Sequence, residues 1–123
     1  MISIFNLNRL TIVLGACLLT LAAKAADFPS QAIRVVVPFP PGGSTDLVTR
    51  ALAAELSTVL KQSVVVDNKA GAGSLLGSEF VAKATPDGHT LLMAGLTNVF
   101  LPYVYKNMRF HPVDDFSNIG LVA

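Results

Sequence analysis

The chain has 123 residues, of which 52% are hydrophobic and 14% are charged, and its formal net charge is +1. Beyond residue 25, seven basic and eight acidic residues give a formal charge of −1. This balance excludes the basic surface of a nucleic-acid-binding protein, so we expect no nucleic-acid partner. The length suffices for about one small domain.

Residues 1–25 have the pattern of a secretory signal peptide. Arg9 precedes an apolar run over residues 10–23, and Ala-Lys-Ala at 23–25 supplies a cleavage pattern. We therefore expect an exported chain over 26–123. Two alternatives are an uncleaved N-terminal anchor and a lipid anchor at Cys17, since residues 14–17 resemble a lipobox. The apolar run continues beyond Cys17, which argues against lipidation.

The stretch VVVPFPPGGSTD, residues 35–46, predicts a strand, a tight turn and the start of a helix. Its β-branched run indicates a buried strand over Ile33–Val37, which Pro40 and Pro41 end. Two glycines make the turn, and Ser44–Asp46 offer N-cap and first-turn chemistry. Free N–H groups at a helix N-terminus attract anions, so we predict an anion-receiving loop. The alternative is an ordinary strand-to-helix connection, since neither a Walker loop nor a G-x-G-x-x-G pattern is present.

Further strands and helices alternate along the chain. The predicted elements are a helix from Asp46 to about Leu60 with apolar face Val48, Leu52, Leu56, Val59 and Leu60; a strand over Ser63–Asp67; a helix from Leu75 to Ala84; and a strand over Thr90–Ala94. Short loops in a strand-helix-strand-helix-strand order favour an α/β fold, with a mainly parallel sheet flanked by helices.

The predictions after residue 98 are a short helix over Val99–Tyr105, interrupted by Pro102, and the start of another strand at Ile119–Ala123. A strand that stops in its apolar middle is an unusual terminus, so we expect the chain to be truncated.

Ligands of parallel sheets bind beyond the carboxyl ends of the strands. Three predicted loops lie there, Pro38–Ser44, Asn68–Ser74 and Gly95–Asn98, and they are rich in Gly, Ser, Thr and Asn. Their near absence of charge suits a site that holds its ligand by backbone and hydroxyl hydrogen bonds.

Four ordered blocks carry a family resemblance. They are FPSQAIR at 28–34 with VVPFPPGGSTD at 36–46, VVVDNKAGAGS at 64–74, ATPDGHTLL at 84–92, and the segment 106–123. Together they resemble the N-terminal portion of the tripartite tricarboxylate transporter substrate-binding proteins, the Bug family. Lys69-Ala70 departs from the family's usual Arg-Pro, and Leu96 with Val99–Leu101 makes the third loop more apolar than is usual.

The resemblance implies a two-lobed periplasmic binding protein fold of class II, of which residues 26–123 are a partial N-terminal lobe and the second lobe is missing. It implies capture of a di- or tricarboxylate or a similar small anion for a permease with a large and a small membrane subunit, without cofactor or metal. By position, the implied ligand-binding residues are Phe39, Pro41, Gly42, Gly43, Ser44, Thr45, Asp46, Gly73, Thr97 and Asn98.

Two alternatives compete with a binding function. The first alternative is a truncated, non-binding fragment of such a receptor. The second is an α/β hydrolytic enzyme. An enzyme needs a nucleophile, base or metal set, whereas the exported part has no cysteine and two isolated histidines, His89 and His111. Asp46 itself has two interpretations: it orders the glycine loop, or it contacts the ligand.

Overall fold

The computed structural model describes residues 27–122. These residues form three strands and three α-helices in strict alternation: β1 Ile33–Val37, α1 Ser44–Leu60, β2 Val64–Asn68, a 3-10 turn Ala72–Ser74, α2 Leu75–Ala82, β3 Thr90–Leu92 and α3 Leu96–Val104. The predicted signal peptide and the alternative lipid anchor at Cys17 lie outside the described residues. Among the residues described, no helix is both long and apolar enough to cross a membrane.

The sheet is parallel, in the order β2-β1-β3, as the alternation of elements predicts. Ile33 pairs with Val64 and Val37 with Asn68 on one side of β1, and Arg34 pairs with Thr90 on the other. The central strand is buried almost throughout, and Val36 and Val37 are 0% exposed. β-branched side chains suit this position because a central parallel strand is covered on both faces.

The face that helix α1 packs on the sheet matches the predicted one only in part: Leu52, Leu56 and Leu60 are half-buried as part of it. Its buried residues are Asp46, Thr49 and Ala53, spaced at helical intervals. Val48 and Val59, both assigned to the apolar face, are 42% and 73% exposed. Small side chains let the helix axis approach the sheet closely, so Thr49 and Ala53 take the positions that larger residues were expected to fill.

The connection from β2 to α2 turns through left-handed backbone. Gly71, Ala72, Gly73 and Ser74 have φ angles of 146°, 46°, 60° and 85°. The turn brings α2 against the ends of two strands: a Cβ on Gly77 would lie 2.8 Å from the Cβ of Pro38 and 2.9 Å from the carbonyl oxygen of Lys69. Only a glycine permits this approach.

Two predictions near the end of the chain need correction. The third predicted loop, Gly95–Asn98, is mostly the first turn of α3, which begins at Leu96 and includes Pro102. The predicted strand at Ile119–Ala123 is wrong, because residues 119–122 are irregular and Ile119 and Leu121 are 82% and 93% exposed. An apolar run becomes a strand only where a neighbouring strand pairs with it, and within residues 27–122 none does.

Candidate functional site

The three glycine-rich segments that follow the strands meet at the carboxyl edge of the sheet. The side-chain amide of Asn68 donates to the carbonyl of Phe39 over 3.2 Å, which joins the first segment to the second. A Cβ on Gly95 would lie 3.9 Å from the ring of Phe39, so the third segment borders the first. The hydroxyl of Thr97 lies 3.4 Å from that of Ser74. These contacts surround a common area above the strand ends.

Asp46 holds the first segment in place. It is 2% exposed, and its Oδ2 accepts hydrogen bonds from the backbone N–H of Gly42, at 2.8 Å, and from Nε of Arg50, at 3.0 Å. Its Oδ1 accepts from Nδ2 of Asn68 at 2.9 Å. The hydrogen bond from Arg50, followed by those from Gly42 and Asn68, lowers the pKa of Asp46 from 3.8 to about 2. An ionised, buried carboxylate with three protein donors orders the glycine loop, which is the first of its two interpretations.

The N-terminus of α1 is left without a side-chain cap. The prediction placed capping chemistry at Ser44–Asp46, but the N-cap residue is Gly43, and it makes no side-chain hydrogen bond. Glycine has no side chain to offer, and the carboxylate of Asp46, inside the first turn, accepts instead from the N–H of Gly42. The helical bonding begins with the N–H of Leu47 donating to the carbonyl of Gly43 at 3.0 Å. The preceding N–H groups, with the positive end of the helix dipole, favour an anion.

A cluster of three buried polar residues lies where α2 meets α3. Ser74, Ser78 and Asn98 are 1%, 0% and 4% exposed. Nδ2 of Asn98 donates to Oγ of Ser78 at 2.7 Å, and that hydroxyl donates to the carbonyl of Ser74 at 2.9 Å. Within residues 27–122, Oδ1 of Asn98 is buried with no hydrogen-bond partner. The cluster therefore fixes the start of α3 against α2.

A groove of about 210 Å³ lies beside the cluster and is lined by Gly73, Thr97, Phe100, Leu101, Val104 and Tyr105. Two of these, Gly73 and Thr97, are predicted site residues. A larger depression of about 520 Å³ lies next to Ser63 and Val64, at the amino end of β2 and away from every predicted site residue. The smaller groove is therefore the one that adjoins the glycine loops.

The predicted site residues differ in exposure. Pro41, Gly42, Gly43, Ser44, Gly73 and Thr97 are exposed, Phe39 and Thr45 are half-buried, and Asp46 and Asn98 are buried. The N–H of Gly42 is already engaged by Asp46. Sequence reasoning missed Asn68 and Arg50. The spacing of Arg50 four residues after Asp46 is a signal for an ion pair on one helix face, and it could have found that residue.

Comparison with known proteins identifies the family. Residues 48–123 match the family described as the tripartite tricarboxylate transporter family receptor, TctC. The chain belongs to this family. Protein BugT of Bordetella pertussis is 46% identical over 93 residues, which cover 72% of this chain and 28% of BugT. The chain spans about a third of the length of the curated relatives that it matches.

Solved structures give the same assignment for this TctC-family chain. MatC from Rhodopseudomonas palustris, solved with bound malate, is 38% identical with a TM-score of 0.61, and the match covers 72% of this chain and 31% of MatC. An R. palustris protein solved with adipate is 41% identical with a TM-score of 0.53, over 54% of this chain and 22% of that protein. The predicted family and α/β fold class are confirmed. Because the family consists of receptors, the hydrolytic alternative lacks support.

Proposed function

We propose that this TctC-family chain supplies the anion-receiving wall of a periplasmic solute receptor for a small di- or tricarboxylate. The observation that carries the proposal is the uncapped N-terminus of α1, which starts at Ser44 beside the other two glycine-rich segments. The family assignment supports it, as do the dicarboxylates, malate and adipate, with which two relatives were solved.

In this proposal, one carboxylate of the ligand accepts hydrogen bonds from the N–H groups at the start of α1. Ser44 and Thr45 supply these N–H groups, with their hydroxyls nearby, and the helix dipole adds a favourable field. No cationic side chain is required, because the donors are fixed dipoles. The N–H of Gly42 donates to Asp46, so the loop is ordered before the ligand arrives. Less conformational entropy is therefore lost on binding.

The remaining predicted residues take supporting positions around the ligand. Phe39 and Pro41 border it on the side of the first loop, and Gly73 and Thr97 border it on the side of the groove. Asn98 does not contact the ligand in this proposal; it holds the start of α3 in place through its hydrogen bond to Ser78. Asp46 acts through the loop and does not contact the ligand itself.

The partners belong to the proposal as well. The predicted signal peptide directs the chain to the periplasm, where a receptor of this family delivers its ligand to the large and small membrane subunits of a tripartite transporter. High affinity in such receptors depends on closure of two lobes around the ligand. We therefore expect this chain alone to bind a carboxylate weakly, with a Kd of the order of millimolar.

The test is an amide-resolved NMR titration of the ¹⁵N-labelled protein with malate and, as a matched neutral control, with malamide. Malate is expected to shift the amide signals of Gly43, Ser44 and Thr45 saturably, because a charged acceptor forms strong hydrogen bonds that polarise the N–H bonds it contacts. Malamide has nearly the same shape without the charge, and it should shift them far less. Equal responses to both compounds would contradict the anion-receiving role, and no response to either would favour the non-binding alternative.

A further inference from the structure

We infer that Asn68 is a positioning residue of this site, which fixes the anion-receiving loop through Phe39 and Asp46. This inference rests on the proposed function and assigns the residue that gives the loop its shape. Asn68 is the last residue of β2 and pairs in register with Val37, the last residue of β1. Its side chain therefore emerges where the loop leaves the central strand.

Each polar group of the Asn68 side chain has a partner. The NH₂ group donates one hydrogen bond to the carbonyl of Phe39, at 3.2 Å, and another to Oδ1 of Asp46, at 2.9 Å. The side-chain oxygen accepts from Nη2 of Arg50 at 2.9 Å. Two acceptors thus face the amide nitrogen and one donor faces the amide oxygen, so the orientation of the amide is determined.

This set of partners selects asparagine among side chains of similar size. An aspartate at position 68 would direct oxygen atoms at the carboxylate of Asp46 and the carbonyl of Phe39, so that acceptors would face acceptors. A leucine would leave the same two acceptors and the Arg50 donor without their partner. Glutamine carries one methylene more, so its amide would not lie where the Asn68 amide meets its three partners.

The loop is consequently held at two points. The carbonyl of Phe39 is bound by Asn68, and the N–H of Gly42 is bound by Asp46, which Asn68 also contacts. Between these points lie Pro40 and Pro41, whose φ angles are restricted by their rings. With both ends fixed and the middle stiff, the path of the chain into Gly43 is determined, and with it the direction of the N–H groups at the start of α1.

Arg50 completes the arrangement from α1. Its Nε contacts Oδ2 of Asp46 and its Nη2 contacts Oδ1 of Asn68, so one planar guanidinium spans both partners. A lysine could keep the charge beside Asp46, but a single ammonium does not reproduce this two-point geometry. Arg50→Lys is therefore a milder perturbation of the same network than loss of Asn68.

The experiment compares Asn68→Ala with Arg50→Lys and with Asn107→Ala, a control at an exposed residue beyond the end of α3. Three quantities are measured: hydrogen exchange of the Gly42 amide relative to that of Val36, the pH midpoint of the Gly42 amide shift, and the affinity for malate. Exchange at Val36 in the central strand reports unfolding of the whole sheet, so the ratio isolates the loop.

For Asn68→Ala we expect the Gly42 amide to exchange at least about tenfold faster relative to Val36. The midpoint of its pH titration should rise, because a hydrogen bond that favours ionised Asp46 is lost. Malate affinity should fall as well. Arg50→Lys should change these quantities in the same direction and by less, and Asn107→Ala should leave them unchanged.

Unchanged Gly42 exchange and an unchanged midpoint in both network variants would overturn the inference. If these two quantities change as expected but the parent protein binds no malate, the positioning role of Asn68 stands and the proposed ligand is wrong. If instead malate binds the parent and Asn68→Ala equally well while Gly42 loses protection, the loop geometry does not govern binding and the inference fails.

Discussion

Substitution of Gly77 by alanine tests how closely α2 must approach the sheet for the site to form. Gly77 is buried in α2, and an added Cβ would lie 2.8 Å from the Cβ of Pro38, 2.9 Å from the Cα of Pro38 and 2.9 Å from the carbonyl oxygen of Lys69. Ordinary contacts of a Cβ are longer by half an ångström or more. Two of the three atoms are backbone, and Lys69 is held by its N–H donating to the carbonyl of Val37.

The expected cost follows from two opposed contributions. Alanine is a better helix former than glycine by about 1 kcal/mol in a helix interior. Overpacking a well-packed region costs about 1–3 kcal/mol, and the upper part of this range applies because the backbone atoms cannot rotate away. Gly77→Ala should therefore lower the free energy of unfolding by about 2 kcal/mol, which corresponds to a fall in Tm of roughly 10 °C for a domain of this size.

Urea unfolding followed by circular dichroism measures this difference. Gly120→Ala is the matched control, because a Cβ on Gly120 would meet no heavy atom within 4 Å, and its effect should stay within about 0.5 kcal/mol. If Gly77→Ala were as stable as the parent or more stable, helix propensity alone would account for the result. The close packing of α2 on the ends of β1 and β2 would then be refuted.

Two further predictions concern the glycine loop. Because the pKa of folded Asp46 is about 2 against an ordinary value of 3.8, the stability that its carboxylate contributes is present above about pH 4 and is lost as the pH falls towards about 2. The stability difference between the parent and Asp46→Asn, measured by urea unfolding, should shrink across that window, and a constant difference would contradict the assignment. Gly42 has a φ of 86° and open space around its Cβ position. Gly42→Ala should therefore cost about 1–2 kcal/mol of stability through backbone strain alone, and a neutral effect in the same assay would show that the turn relaxes.

Much of the fold could be predicted from the sequence because the signals are local. The β-branched runs before Val37 and Asp67 mark the strands, and glycines follow both, so the alternation and the parallel sheet were predicted correctly. The convergence of the three segments follows from the topology of a parallel sheet.

The remaining features depend on contacts between distant parts of the chain. The buried face of α1 is set by how closely the helix lies on the sheet, which favours Thr49 and Ala53 over the larger Val48. The network of Asn68 with Asp46 joins residues 22 positions apart, and no spacing rule within one element could have indicated it. The start of α3 was misplaced because Gly95 and Pro102 are both signals for irregular structure, whereas the buried contact of Asn98 with Ser78 stabilises the first turn of a helix there.

The central claim is that backbone N–H groups at the start of α1 receive the anion, and Ser44→Pro tests it most directly. Ser44 is the first residue of α1, where proline is well tolerated. The preceding Gly43 has φ −76° and ψ 168°, the extended conformation that a residue before proline prefers. The substitution therefore removes one N–H donor with little change to the helix, while Ser44→Ala removes the hydroxyl and keeps the donor.

Malate affinity of both variants can be measured by NMR titration at the Thr45 amide. A hydrogen bond to a charged group contributes about 1.5–3 kcal/mol, so Ser44→Pro should weaken binding about tenfold or more. Ser44→Ala should weaken it by much less. If Ser44→Pro bound malate as the parent does, or if Ser44→Ala lost as much affinity as Ser44→Pro, the backbone of this helix would not be the anion receptor.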